Sequence, residues 1–388
     1  MRTPIIQSLL DTDLYKFTMM QAVLHQHPAA HVEYRFKCRT PDIDFTPCVE
    51  AIQGELDTLC SLRFGESELD YLRQFDYIQP DFIDFLRLFQ LNKRFVRIST
   101  DPFTLVIEGP WLHTILFEVP LLAIINESYF RHCHPTPDYA EGRRRLAQKL
   151  EKLKQHPDNA DFRFSEFGTR RRFSRTWQAE VVKTLQEVVS DHLLGTSNVL
   201  LAKTLNLEPI GTMAHEYLQA FQALGPRLVD SQKAALESWV QEYRGRLGIA
   251  LTDVVGIDAF LRDFDLYFAK LFDGLRHDSG DPFEWALKTI AHYQALHIDP
   301  QTKSLVFSDN LSIPKALQIY DAVHAQTNPV FGIGSNLTND LGYSTLNMVI
   351  KMTHCNGQVV AKICDDPNKV VCEDMAYFHY LANVFQLK

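Results

Sequence analysis

The sequence lacks several features that identify common classes of protein. Its 388 residues include seven cysteines but no CxxC pair, and the formal net charge is −9. An odd number of scattered cysteines is typical of reduced thiols and predicts a cytoplasmic protein. A mildly acidic chain has no general field that attracts nucleic acid or an anionic membrane, so neither is expected as a partner.

Two nucleotide-binding motifs and a membrane-spanning segment are also missing. No GxxxxGK[ST] motif occurs, which excludes a P-loop, and no GxGxxG opens a strand–helix unit, which argues against a dinucleotide site. The longest apolar-rich stretch, residues 111–125, contains His113, Glu118 and Pro120 and is too short and polar to span a bilayer. The N-terminus has no long apolar region of the kind that signal peptides carry.

Hydrophobic patterning divides the chain into three regions. Residues 1–135 predict an N-terminal α/β domain, with a helix over 11–25, strands over 32–38, 95–99 and 104–107, and a helix over 113–132. Residues 136–343 predict a second α/β domain. Residues 344–388 predict a hairpin at Asn356-Gly357 and a helix, which pack back on the first domain and complete it.

In residues 136–343 short apolar runs alternate with helical segments. The runs begin at Phe162, Glu208, Ala250, Gly274, Ser304 and Pro329. Helices are predicted near 138–155, 172–190, 215–223, 229–243, 256–271, 282–296 and 312–324. Strands that alternate with helices indicate a parallel sheet built from βαβ units. Six such units favour a closed α/β barrel, and an open sheet is the alternative.

Polar or glycine-rich clusters follow these runs. They are residues 166–172, 211–215, 252–253, 276–281, 308–310 and 332–336. All strand ends of one polarity lie on the same face of a parallel barrel, so the six loops would converge on one site. Polar residues after a strand are also ordinary helix caps. Helix capping explains a single cluster well enough. Six clusters in succession, one of which contains three arginines, favour a binding or catalytic site.

The residue types in these clusters predict a phosphorylated ligand. The cations are Arg170, Arg171, Arg172 and Arg276, and the carboxylates are Asp253, Asp278, Asp281 and Asp309. Arginine forks suit carboxylate or phosphate, and carboxylates bind Mg²⁺ or sugar hydroxyls. The turn Gly332-Ile-Gly-Ser335 allows backbone N–H groups to approach an anion. The combination predicts a polyphosphorylated sugar bound with Mg²⁺.

His215 has two interpretations. It follows a predicted strand and opens a helix, and a single histidine in that place is commonly structural. At the mouth of a phosphate pocket, a neutral imidazole is instead a nucleophile toward phosphorus, and the helix N-terminus stabilises the resulting anion.

Five motifs together resemble the bacterial nicotinate phosphoribosyltransferase family. They are residues 10–19 (LDTDLYKFTM), 166–172 (EFGTRRR), 211–216 (GTMAHE), 276–281 (RHDSGD) and 332–335 (GIGS). The resemblance implies an irregular parallel α/β barrel of the type II phosphoribosyltransferase kind, with an N-terminal α/β sandwich domain. It also implies a homodimer with shared active sites. The implied reaction transfers the phosphoribosyl group of phosphoribosyl pyrophosphate to nicotinate and releases pyrophosphate. It also hydrolyses ATP to ADP and phosphate, uses Mg²⁺ and belongs to the biosynthesis of NAD.

The resemblance also implies roles for individual residues. His215 is expected to be the phosphorylated histidine, and Arg276 and Asp278 to act with it in catalysis. Tyr15, from the partner subunit, and Phe167 are expected to cover the pyridine ring. Asp278 and Asp309 are expected to hold Mg²⁺ and ribose hydroxyls. The remaining expected substrate-binding residues are Gly168, Thr169, Arg170, Arg171, Ser197, Thr212, Asp253, Gly332, Gly334 and Ser335.

Ser197 bears on the choice of acceptor. Nicotinamide phosphoribosyltransferases, which are similar in several motifs, have an Asp after the corresponding Gly-Thr, and this chain has Ser197. A serine would not repel the carboxylate of nicotinate. The sequence therefore favours nicotinate over nicotinamide as the acceptor. It does not determine which of Arg170, Arg171 and Arg276 binds the carboxylate and which binds the 5-phosphate.

Two other functions remain open at this stage. An aldolase or isomerase that acts on sugar phosphates would share the phosphate cradle, but no predicted strand end carries a Schiff-base lysine. A noncatalytic nucleotide sensor on the same fold would be expected to lose His215 or the acidic residues, which are present.

Overall fold

The strands of the computed structural model form two separate sheets. The described residues are 3–100, 102–157, 159–366, 372 and 374–387. Their strands are β1 (His31–Cys38), β2 (Val96–Thr100), β3 (Phe103–Pro110), β4 (Arg163–Glu166), β5 (Leu193–Thr196), β6 (Ile249–Leu251), β7 (Gly274–His277), β8 (Ser304–Phe307), β9 (Asn328–Ile333), β10 (Met348–Cys355) and β11 (Gln358–Val359). One sheet has the order β11-β10-β1-β3-β2, and the other has the order β5-β4-β9-β8-β7-β6.

Helices surround both sheets. They are α1 (Leu14–Gln26), α2 (Val49–Ser61), α3 (Glu66–Arg73), α4 (Pro80–Leu88), α5 (Trp111–Thr114), α6 (Glu118–Cys133), α7 (Tyr139–Gln155), α8 (Arg175–Val188), α9 (Val199–Leu205), α10 (His215–Leu224), α11 (Ser231–Tyr243), α12 (Ile257–Asp263), α13 (Leu266–Leu271), α14 (Pro282–Ala295), α15 (Ile313–Val323), α16 (Ser335–Thr338) and α17 (Met375–Val384). Within the described ranges, no helix combines the length and hydrophobicity that a membrane crossing requires.

The first sheet is antiparallel and combines residues from both ends of the chain. β1 pairs with β3 on one side and with β10 on the other. The tail, predicted as residues 344–388, therefore adds two strands to the sheet of the N-terminal domain. Of that tail, residues 367–371, 373 and 388 lie outside the described residues. The fold is the expected combination of an α/β barrel with a separate α/β domain.

Helix α1 contacts α5 of the N-terminal domain and α11 of the barrel domain, and its residues 14–23 are all buried. Its backbone begins with a hydrogen bond from the N–H of Leu14 to the carbonyl of Ser197 in the barrel domain, at 2.9 Å. Farther along, Thr18 donates to the carbonyl of Thr212 at 2.6 Å and Gln21 donates to Glu242 at 2.8 Å. A helix that is buried all round must place its polar side chains against partners.

The six strands of the second sheet are all parallel, with β5 and β6 at its two edges. The predicted strand at 208–212 is wrong, and β5 was not predicted as a strand. Within this segment only Pro209 forms a bridge, with Thr196 of β5. The segment makes two backbone hydrogen bonds to β5. It contacts β6 through the Thr212 hydroxyl, which lies 2.8 Å from the carbonyl of Ile249. Proline has no N–H with which to extend a ladder.

Two helix predictions also need correction. The helix predicted over 256–271 is divided into α12 and α13, because Asp265 accepts from the N–H groups of Tyr267 and Phe268 and caps a new helix. Among the described residues, helix α17 contacts the barrel domain, where the Tyr377 hydroxyl donates to Gln222 at 3.1 Å, whereas the tail helix was predicted to pack on the N-terminal domain. The chain has already crossed to the barrel before this helix, since the N–H of Ile363 donates to the carbonyl of Val254 at 2.7 Å. Arg262 then donates to the carbonyl of Phe385.

A buried ion pair joins the two domains beneath the strand ends. The two terminal nitrogens of Arg172 donate to the two oxygens of Asp11 at 2.6 and 2.8 Å. Their side chains are only 1% and 2% exposed. Arg172 is thus a structural residue, and the prediction that it supplies a cation to a ligand is wrong.

Replacing Arg172 with alanine is expected to destabilise the protein by about 3–5 kcal/mol, because the change leaves the Asp11 carboxylate buried without a partner. Thermal unfolding followed by calorimetry measures this. Arg143→Ala is the control, since Arg143 pairs with Glu180 at the surface with side chains 59% and 38% exposed. Such pairs contribute about 0–1 kcal/mol. Equal effects of the two substitutions would contradict the structural role of Arg172.

Candidate active site

A cavity of about 400 Å³ opens at the carboxyl-terminal ends of the parallel strands. The barrel supplies its floor, where loops after β4, β7, β8 and β9 meet. The predicted residues that line it are Phe167, Gly168, Arg170, Arg171, Arg276, Asp278, Asp309, Gly332, Gly334 and Ser335. The structure therefore brings together ten of the predicted residues from four separate loops.

A smaller cavity adjoins the first and shares Arg170, Arg276 and Lys351 with it. Tyr15 and His215 line this smaller cavity. Tyr15 reaches it from the same chain, and the centre of its ring is 6.0 Å from the guanidinium of Arg170. The two cavities together connect His215 with the loop that follows β4.

The loop after β4 is fixed by a buried carboxylate. Glu166 accepts from the N–H of Gly168, from Gln178 at 3.1 Å and from Thr196 at 2.6 Å. Burial raises the pKa of Glu166 to about 7. These bonds hold Phe167 over the end of β9, where a Cβ on Gly332 would overlap the Phe167 ring. Only glycine at 332 leaves room for that ring.

Phe167 presents one face toward a cation. The guanidinium of Arg276 lies 5.7 Å from the centre of the ring, within the range of a cation–π contact. Arg276 is itself oriented by Ser308, to which its Nε donates at 2.7 Å. An aromatic plane beside a guanidinium can hold a flat, anionic ligand.

His215 is the first residue of α10 and contacts two groups of opposite charge. Its Nε2 is 2.8 Å from an oxygen of Asp253 and 3.0 Å from the ammonium of Lys362. Burial and the positive charge of Lys362 lower the pKa of His215 to about 4, against the opposing effect of Asp253. The imidazole is therefore neutral at neutral pH and keeps a lone pair available for nucleophilic attack.

Asp278 and Asp309 supply carboxylate oxygens to the larger cavity. Burial would raise the pKa of Asp278, but Arg276, His215 and Lys362 outweigh it and lower that pKa. Both residues fit the expected Mg²⁺, because Mg²⁺ prefers one or two carboxylates together with waters and substrate phosphates. His215, Asp253 and Asp278 also lie close enough together for a metal. The ammonium of Lys362 already neutralises Asp253 at 2.7 Å, which makes that cluster the less suitable one.

Four predicted substrate-binding residues lie behind the cavity wall. Thr169 accepts from Gln178 and Asn198, Ser197 donates to Asp13 at 2.7 Å, and Thr212 donates to the backbone of β6. Asp253 accepts from Ser279 and Lys362 in addition to its contact with His215. These four residues do not line either cavity and contact neighbouring protein groups, so their expected contact with substrate stays a prediction.

The sequence reasoning missed cations that the N-terminal sheet and the tail bring to the cavity. Arg39, Lys351 and Lys362 line it together with the barrel residues. Burial lowers the pKa of Lys351 to about 8, although Glu118 opposes the effect. The sequence does contain a feature that indicates these lysines, because Lys351 and Lys362 each interrupt an apolar run of the predicted hairpin. Glu118 interrupts the apolar stretch 111–125 in the same way.

Comparisons with known proteins agree with this geometry. The model of the nicotinate phosphoribosyltransferase (NAPRTase) family matches residues 162–388, and the model of its N-terminal domain matches residues 10–126. A nicotinate phosphoribosyltransferase of Xanthomonas euvesicatoria pv. vesicatoria is 60% identical over an alignment that covers 99% of this chain and 98% of the relative. One from Burkholderia cenocepacia is 58% identical over 98% of this chain and 97% of the relative.

Solved structures give the same result. The crystal structure of nicotinate phosphoribosyltransferase from Vibrio cholerae is 39% identical and superposes with a TM-score of 0.96, covering 99% of this chain and 94% of that one. The enzyme from Porphyromonas gingivalis is 34% identical, with a TM-score of 0.93 over 99% of this chain and 100% of that one. The resemblance inferred from the five motifs is confirmed.

Proposed function

This chain belongs to the nicotinate phosphoribosyltransferase family, and on that premise we propose that it forms nicotinate mononucleotide with the help of ATP and a phosphohistidine. One observation supports this most strongly. His215, Arg170, Arg276 and Phe167 line two cavities that share residues, so a phosphorylatable imidazole lies beside a site for a flat anion. The product would enter the biosynthesis of NAD.

The transfer itself needs positioning more than acid–base catalysis. The ring nitrogen of nicotinate attacks C1 of phosphoribosyl pyrophosphate, while the bond from C1 to oxygen breaks and pyrophosphate leaves with the electron pair. Arg171 balances the charge of the phosphates, and Gly334 and Ser335 offer a close approach to the 5-phosphate. When bound at Asp278 and Asp309, Mg²⁺ would stabilise the charge that develops on the leaving pyrophosphate.

ATP acts on the enzyme by phosphorylating His215. The neutral imidazole attacks the γ-phosphorus of ATP, the bond to the bridging oxygen breaks, and ADP leaves with the electron pair. Water later attacks the phosphohistidine and releases phosphate. The phosphoryl group adds about −1.5 to −2 charges near the cavity by analogy with other phosphorylated residues. Lys362, at 3.0 Å from Nε2, is placed to balance that charge.

Three further expectations stay predictions. The homodimer with shared sites is one, and Tyr15 and Arg39 already reach the cavities from the same chain. The preference for nicotinate over nicotinamide inferred from Ser197 is another. Ser197 would influence the substrate indirectly, because it donates to Asp13, which lies 3.9 Å from Arg170. The cytoplasmic location is supported by seven free cysteines.

An aldolase or isomerase fits the site less well. The lysines that line the cavity, Lys351 and Lys362, come from the tail and not from barrel strand ends. Lys362 is held by Asp253 at 2.7 Å, which raises its pKa despite burial. A charged ammonium is a poor Schiff-base nucleophile. A noncatalytic sensor would not need the neutral imidazole and the acidic groups that surround it.

Replacing Gly332 with alanine is expected to push the Phe167 ring out of place and lower kcat/KM for nicotinate about 100-fold, the effect of a misplaced binding group. Steady-state kinetics with nicotinate as the varied substrate measures this. Gly54→Ala is the matched control, because a Cβ at Gly54 meets nothing within 4 Å. Wild-type kinetics in the Gly332 variant would contradict the role of Phe167.

Replacing His215 with alanine is expected to abolish ³²P incorporation from γ-labelled ATP and the stimulation by ATP, while a slow ATP-independent transfer remains. The reason is that the ring nitrogen that accepts the phosphoryl group is removed. Filter-bound label and the ratio of ADP to nicotinate mononucleotide measure the two effects. Undiminished labelling would assign the phosphoryl group to another residue and contradict the proposed role of His215.

A further inference from the structure

A fully buried lysine lies behind the smaller cavity between two carboxylates. The ammonium of Lys16 on α1 is 2.6 Å from Glu118, the first residue of α6, and 2.9 Å from both oxygens of Glu216 on α10. Its side chain is 0% exposed, and those of the two glutamates are 8% and 6% exposed. Lys16 and Glu216 lie within the motifs 10–19 and 211–216, but no role was predicted for any of the three residues.

The two ends of this network lie beside the two functional parts of the site. Glu216 directly follows His215, and both residues line the smaller cavity. At the other end, Glu118 is 3.5 Å from the guanidinium of Arg170. In the described part of the chain, Lys16 therefore links Glu216, the neighbour of His215, to Glu118, the neighbour of Arg170.

The charges in this network do not balance pairwise. One ammonium serves two carboxylates, so Glu118 also uses Arg170 to satisfy its charge. Lys16 and Arg170 lower the pKa of Glu118 to about 2 although burial opposes them. Burial raises the pKa of Glu216 even though Lys16 contacts it. Lys351 on β10 is the other cation that faces Glu118, and His215 faces the cavity as a neutral ring.

We propose that Glu118 and Glu216 compete for Lys16, and that this competition couples the phosphorylation of His215 to the availability of Arg170 for the carboxylate of nicotinate. The inference rests on the proposed function and names positioning residues for it. A phosphoryl group on His215 places negative charge beside Glu216, which then takes up a proton from solvent. Lys16 turns fully to Glu118, and Glu118 releases Arg170 to the substrate.

The test replaces Glu216 with glutamine, which imitates the protonated carboxyl group. In the wild-type enzyme ATP should lower the KM for nicotinate. In E216Q the KM measured without ATP should already be lowered by about 5-fold or more, and ATP should change it less than twofold, because the coupling falls in the ordinary range for linked sites. ³²P labelling of His215 should persist in E216Q, which separates loss of coupling from loss of the phosphorylation step.

The control is E242Q. The side chain of Glu242 is 6% exposed and bonds α1 through Gln21, but it lies outside both cavities. This variant should keep the wild-type response to ATP. A second variant, E118Q, removes the carboxylate that holds Arg170 and should lower the KM for nicotinate with or without ATP.

The outcomes separate the inference from the function on which it rests. If E216Q keeps the wild-type ATP effect, or E118Q leaves the KM unchanged, the competition for Lys16 is contradicted while the enzyme's activity stands. If the wild-type enzyme itself incorporates no label and shows no effect of ATP on KM, the proposed ATP coupling fails, and this inference fails with it.

Discussion

The pairing of buried charges between the two domains is the constraint on which the rest of the structure depends. Asp11 pairs with Arg172, Lys16 with Glu216, and Lys362 with Asp253. In each case one partner comes from the N-terminal segment 11–16 or the tail and the other from the barrel. A buried charge without a partner costs several kcal/mol, so separating the two domains would require a large free energy. The same pairing sets the charge of the cavity that lies between them.

Most of the loops that line the larger cavity could be predicted because a simple rule of topology governs them. Parallel strands end on one face, so motifs far apart in sequence, such as Phe167 and Gly334, must meet if the strands are correctly identified. The rule does not depend on helix boundaries or on the exact number of strands. For that reason the site was predicted even though β5 was not identified and the segment at 208–212 was wrongly taken as a strand.

Contacts across the domain interface could not be predicted, because they depend on how two separately folded layers meet. Ser197 and Thr212 carry hydroxyls that look suited to substrate, yet each one bonds a protein group, Asp13 or the carbonyl of Ile249. Conversely, Lys351 looked like the polar face of a strand and turns out to line both cavities. A polar residue inside an apolar run was the useful signal, since burial of a charge requires a partner or a ligand.

The proposed function requires a cavity matched in charge to a flat monocarboxylate, with Arg170 made available through His215. A steady-state comparison of nicotinate, nicotinamide and quinolinate as acceptors, each with and without ATP, tests that claim most directly. We expect nucleotide product from nicotinate, an increase in its kcat/KM when ATP is added, and little product from the amide or the dicarboxylate. Equal use of nicotinamide would contradict the account.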